Sequence, residues 1–121
     1  MKPKGRAFIS SAYSGGTISE IELNVSKARV AVEDVLRAGW VPICPNVFWH
    51  PFAEFQDYRF WLEAAISLME TCDILVLVPG WELSSGVASE IRRAKEIGIL
   101  ILTLEELKSG VLVGRGSKAA S

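Results

Sequence analysis

Ser84, Ser85 and Gly86 are followed by an acid, Glu90, four residues past the glycine. Two hydroxyls and the free amides of a helix start can together hold an oxyanion or the hydroxyls of a sugar. Glu90, at i+4 from Gly86, falls on the same face one turn later, so its carboxylate can lie beside whatever the loop holds. Val87, Ile91 and Ala94 supply the buried stripe of this helix, and Glu90 adjoins that stripe rather than opposing it. The plainer alternative is a surface carboxylate paired with Arg92, Arg93 or Lys95. A second small-residue loop, Ser14, Gly15 and Gly16, follows the first apolar run. It reads either as a phosphate or sugar cradle or as an ordinary strand-to-helix turn. It carries neither a dinucleotide fingerprint nor a P-loop, which removes the usual ATP, GTP and NAD readings. His50 is the only histidine. With no Asp, Cys or second His at motif spacing, it supports neither a metal site nor a nucleophilic triad and reads as a loop residue.

Both loops need strands and helices to hold them. Cys72 to Val78 is a short, nearly unbroken apolar run, the pattern of a strand buried on both faces of a parallel sheet. Pro79 and Gly80 stop it, helical spacing resumes through Val87, Ile91, Ala94 and Ile97, and Ile99 to Leu102 closes a strand-helix-strand crossover. Ahead of it, Ala7 to Ile9 opens a first strand, and Ser19 with Glu22 predicts a capping box on a helix over 20–38 that ends at Gly39. Trp40 to Cys44 reads as a second strand, placed at a sheet edge by Pro42. Leu62, Ala65, Ile66 and Met69 repeat at helical spacing, and Thr103 with Glu105 and Glu106 starts a short last helix. The alternation predicts an α/β domain: a three-layer, doubly wound, flavodoxin- or Rossmann-like parallel sheet of four to five strands. Ligands in such sheets sit outside the carboxyl ends of the strands, where both small-residue loops fall.

Between Pro45 and Trp61 lie most of the aromatic side chains, Phe48, Trp49, Phe52, Phe55, Tyr58, Phe60 and Trp61. Such a segment must be covered by the rest of the domain, by a partner subunit or by a flat ligand such as a nucleobase. The 121 residues form one domain over 1–112 with a flexible tail at 113–121. A net charge of -1 leaves no basic excess for nucleic acid. No segment approaches the length of a membrane span or a secretory signal. Cys44 and Cys72 sit in apolar runs without ligand spacing, as buried thiols of a reducing compartment, so a cytoplasmic location is expected.

Three stretches resemble the nucleoside 2-deoxyribosyltransferase-like superfamily, which includes the 2-deoxynucleoside 5-phosphate N-hydrolases and many small bacterial and phage domains. They are Phe8 to Gly16, the strand from Cys72 and Asp73 to Pro79-Gly80-Trp81, and Ser84 to Glu90 continuing through Ala94 to Gly98. The resemblance implies an N-glycosidase or deoxyribosyltransferase acting on a nucleoside or its 5′-monophosphate. Glu90 would be the nucleophile that captures the anomeric carbon, dividing one hard step into two. It places Tyr13 near the reacting sugar and Ser14, Gly15 and Gly16 along the first loop, with Ser84, Ser85 and Gly86 orienting sugar or phosphate. Ser84 stands where the transferases have aspartate and the monophosphate hydrolases have serine, which favours a phosphorylated substrate. The chain departs from the pattern at Ala65, where the enzymes have an aspartate that protonates the leaving base; Asp57 and Glu63 are off the matching position. No metal or organic cofactor is implied, and a homo-oligomer is expected, since a site at a sheet edge often borrows a wall from a neighbour.

Overall fold

A computed structural model describes residues 2–110. The tail expected at 113–121 lies outside them. Four strands, β1 (Arg6–Ser10), β2 (Val41–Ile43), β3 (Ile74–Leu77) and β4 (Leu100–Thr103), form one parallel sheet in the order β2-β1-β3-β4. Phe8 is the hinge of the register, lying beside Ile43 on one side and Leu75 on the other. β2 is an edge strand, as Pro42 requires, because proline offers no N–H to a further neighbour.

Helices cover both faces. α1 (Ile18–Arg37) and α5 (Leu104–Lys108) pack on one side, where Ala28, Ala31, Val35, Leu104 and Leu107 meet Ala7, Ile9, Ile74 and Val76. α3 (Tyr58–Met69) and α4 (Ser85–Ile97) pack on the other, where Ala65, Met69, Val87 and Ala94 meet Phe8, Leu75 and Leu77. Alternate residues of each strand thus enter opposite cores, and every residue of β3 is buried. Burying one such side chain, Phe8 for instance, contributes roughly 2 kcal/mol. The architecture is α/β, three-layered and flavodoxin- or Rossmann-like, with four strands. No helix among the described residues is long and apolar enough to cross a membrane. Both cysteines are buried free thiols, and burial pushes Cys44 up to about 12.

Local signals explain most element ends. Thr103 and Glu106 form a reciprocal capping box on α5, and Gly98 ends α4 in the left-handed region at φ 80°. The cap of α1 departs from expectation. Thr17, in extended conformation, accepts from Glu20 N at 3.1 Å, so the helix begins at Ile18, ahead of the expected Ser19–Glu22 box. Glu20 folds back to accept from Gly16 N at 2.8 Å, which leaves Glu22 free to face elsewhere. The aromatic segment is more regular than its sequence implies: a short helix α2 (Pro45–Phe48), a 3-10 stretch over His50–Phe55, and α3, capped by Asp57 accepting from Phe60 N at 2.9 Å.

The chain leaves β1 toward β2 on one side and returns to β3 on the other. The turns after β1 and β3 therefore part at their carboxyl ends and open a crevice.

Candidate functional site

A cavity of about 570 Å³ occupies that crevice. The loop after β1 contributes Ser11 to Ser14, the turn after β3 contributes Val78, Pro79 and Gly80, and Ser84 to Val87 and Glu90 come from the start of α4. The aromatic segment closes it with Trp49, His50, Tyr58 and Trp61, and α1 brings Asn24 and Lys27 to its rim.

Glu90 lies within the buried stripe of α4 with Val87 and Ala94 and is only 9% exposed. Its Oε1 accepts a hydrogen bond from Ser10 Oγ at 2.5 Å, across from the end of β1. Among the described residues no cation pairs with it, and the surface pairing with nearby basic residues does not form: Arg93 turns instead to Glu70 at 2.7 Å and Glu96 at 3.0 Å. Burial lifts the Glu90 carboxyl from 4.5 to about 7, and the Ser10 hydrogen bond draws it partly back. A carboxylate at this balance point is half-ionised near neutrality, desolvated, and open to the cavity on one side.

Ser84 caps α4 by accepting from Val87 N at 3.2 Å. Its hydroxyl can still donate into the cavity, beside the first-turn amides of Ser85 and Gly86. A side chain at 86 would crowd the Tyr58 hydroxyl, 3.3 Å from the Cβ position, so glycine keeps this lip narrow. Among the lining residues described, Lys27 is the one lysine or arginine.

Tyr13 reaches the cavity from a loop pinned by Asn24, whose Nδ2 donates to Tyr13 O at 3.1 Å and Ser14 O at 3.3 Å. Its hydroxyl lies 2.7 Å from His50 Nδ1, and His50 Nε2 lies 3.1 Å from Glu22 Oε1. Burial, and behind it the Glu22 charge, raise the Tyr13 hydroxyl above its ordinary range. Trp49 and Trp61 lie together with ring centroids 5.4 Å apart, and Trp61 Nε1 donates to Ala53 O at 2.9 Å, fixing an aromatic wall.

The structure thus gathers Tyr13, Ser14, Ser84, Ser85, Gly86 and Glu90 around one space. It does not bring Gly15 and Gly16 there. Both are exposed and outside the cavity lining, the Gly16 amide is taken by Glu20, and a Cβ at Gly15 would lie 2.5 Å from Glu20 Cβ, so the glycine pair serves the start of α1. His50, expected as an isolated loop residue, sits in the 3-10 stretch with partners on both ring nitrogens. Ser10, Asn24 and Lys27 went unmarked in the sequence as site residues, and Glu22 was expected only in a capping box with Ser19, since each joins the site by tertiary contact. Ala65 lines the cavity, so the position where the resemblance would expect an aspartate presents a methyl group there. Among the described residues no three His, Cys, Asp or Glu side chains converge to hold a metal ion.

Residues 6–104 match a family described as a domain of unknown function, DUF7768. No curated protein matches the chain.

Proposed function

The chain belongs to the DUF7768 family, and from the geometry of its cavity we propose that it cleaves or transfers the N-glycosidic bond of a nucleoside or nucleoside 5′-monophosphate, with Glu90 as nucleophile. The observation that carries this reading is a buried carboxylate without a cationic partner, held by Ser10 against a cavity at the switch point of the sheet. A structural acid so placed costs stability and returns none, whereas a nucleophile needs just this exposure to substrate and shelter from water. Glu90 attacks the anomeric carbon and forms a glycosyl ester, which water or a second base then resolves. Ser84, Ser85 and the amides of the α4 start hold the sugar or its phosphate, Lys27 balances a phosphate at the rim, and the Trp49–Trp61 wall stacks on the base.

In this reading the protein works as a cytoplasmic homo-oligomer. Phe52, Phe55 and Leu83 are exposed near the mouth and would be covered by a second copy; sedimentation at the mass of a single chain would remove that element. Ala65 favours a second reading, a module that binds the nucleotide and does not turn it over.

A panel of deoxynucleosides and their 5′-monophosphates, assayed chromatographically for free base, separates the two. Release that is lost in Glu90→Ala supports the glycosidase. Release that survives the substitution sinks it, and saturable binding without release leaves the module.

A further inference from the structure

Departure of a purine or pyrimidine from an anomeric carbon is assisted by a proton placed on the base, at N7 in a purine, which makes the base a neutral leaving group. Enzymes that work through a glycosyl ester commonly use a second carboxyl group for this, yet among the described residues Glu90 is the one carboxylate lining the cavity. What the cavity has in its place is a hydrogen-bonded chain from Tyr13 through His50 to Glu22. The tyrosine and histidine rings meet edge to face at 5.7 Å, both residues are partly buried, and the Glu22 side chain is 61% exposed. The inner end therefore lines the cavity while the outer end opens to solvent.

Resting on the glycosidase reading above, we propose that Tyr13, His50 and Glu22 form a proton relay that supplies the leaving base and later receives the proton of the attacking water. In the first step Glu90 forms a bond to the anomeric carbon, and the carbon–nitrogen bond breaks with its electron pair moving to the base. The Tyr13 O–H proton passes to the base, at N7 of a purine, as the Nδ1 proton of the His50 imidazolium passes to Tyr13. In the second step water attacks the same carbon and the ester oxygen leaves with its pair as the Glu90 carboxylate. The water proton passes to Tyr13 as the tyrosine proton returns to Nδ1. Protons and charge balance over the cycle. Glu22 accepts from Nε2–H throughout, which fixes the ring so that Nδ1 always addresses Tyr13. Tyr13 touches substrate; His50 and Glu22 act through it as positioning and proton-storing residues.

The test compares the wild type with Tyr13→Phe, His50→Gln and Glu22→Gln on two substrates: a purine deoxynucleotide, and its N7-methyl analogue, whose base departs without accepting a proton. The relay predicts a loss of about 100-fold in kcat on the unmodified purine for Tyr13→Phe and His50→Gln, a smaller loss for Glu22→Gln, and little change on the N7-methyl analogue. Equal losses on both substrates, or no loss on either, overturn the relay while leaving the nucleophile intact. Wild-type failure on both overturns the glycosidase reading and the relay's catalytic role together. Because His50 is the only histidine, its imidazole ¹⁵N signals need no assignment and read the chain without turnover. Whenever the ring is neutral its one proton should sit on Nε2, with that preference weakened in Glu22→Gln; a neutral wild-type ring protonated on Nδ1 instead overturns the proposal.

Discussion

Replacing Glu90 by glutamine should stabilise the protein, and by an amount that depends on pH. The carboxyl rises from 4.5 to about 7 in the folded chain, chiefly through burial. Below the lower value both folded and unfolded states hold the proton, and the group has no effect. Between the two values the unfolded chain ionises while the folded one retains its proton, so stability falls as pH rises. Above about 7 the folded state carries the full penalty, on the order of 3 kcal/mol. Glutamine has no such titration and can still accept the Ser10 hydrogen bond. Urea unfolding near pH 4 and near pH 8 should therefore show Glu90→Gln matching the wild type at the lower pH and exceeding it by roughly 3 kcal/mol at the higher, or roughly 10 °C in Tm. Other titrating groups are shared by the two proteins and cancel in the difference. A difference independent of pH, or a glutamine variant less stable near pH 8, would refute the burial argument. Confirmation would mark a residue retained against its effect on stability, the usual sign of a functional acid.

Ser10→Ala removes the hydrogen bond that lowers the Glu90 carboxyl, so the pH midpoint for base release should move upward from about 7; an unmoved pH–rate profile would contradict this. Ser84→Ala should cost about 1 kcal/mol in chemical denaturation through loss of the α4 cap, and should also weaken deoxynucleotide binding in calorimetry. Gly98→Ala should cost about 1 kcal/mol with binding unchanged: the residue lies at φ 80° with open space around its Cβ position, so the penalty is one of backbone alone.

The fold was readable because each layer carries a local signal. The unbroken apolar run before Pro79 marks a strand covered on both faces, and the stripe from Val87 to Ala94 marks the helix behind it. The same two elements put Glu90 beside the buried stripe, but helical periodicity left a surface pairing with Arg92, Arg93 or Lys95 equally open, and only the packing against Ser10 excludes it. The first loop misled because glycine has more than one use. Gly15 admits Glu20 against the backbone and Gly16 gives up its amide to that carboxylate, so two glycines that resemble an anion cradle are consumed in starting a helix. Thr17 and Ser19 are both good caps, and sequence alone could not choose between them; the extended backbone at Thr17 does. Ser10, Glu22 and His50 were illegible for a different reason. Ser10 meets Glu90 across 80 positions and His50 meets Glu22 across 28, separations that no local pattern encodes. The aromatic run could be recognised as needing cover, but only packing divides it into Trp49 and Trp61 on the cavity wall and Phe52 and Phe55 facing outward.

The central claim is that the Glu90 carboxylate bonds covalently to the sugar. A 2-fluoro-arabinosyl nucleoside slows both the formation and the breakdown of such an ester by destabilising the oxocarbenium-like transition state. Intact-mass and peptide mass spectrometry after incubation with it should find one fluorosugar unit on the wild type, located at Glu90 and absent from Glu90→Gln. Base released with no adduct, or an adduct on any other residue, would contradict the account.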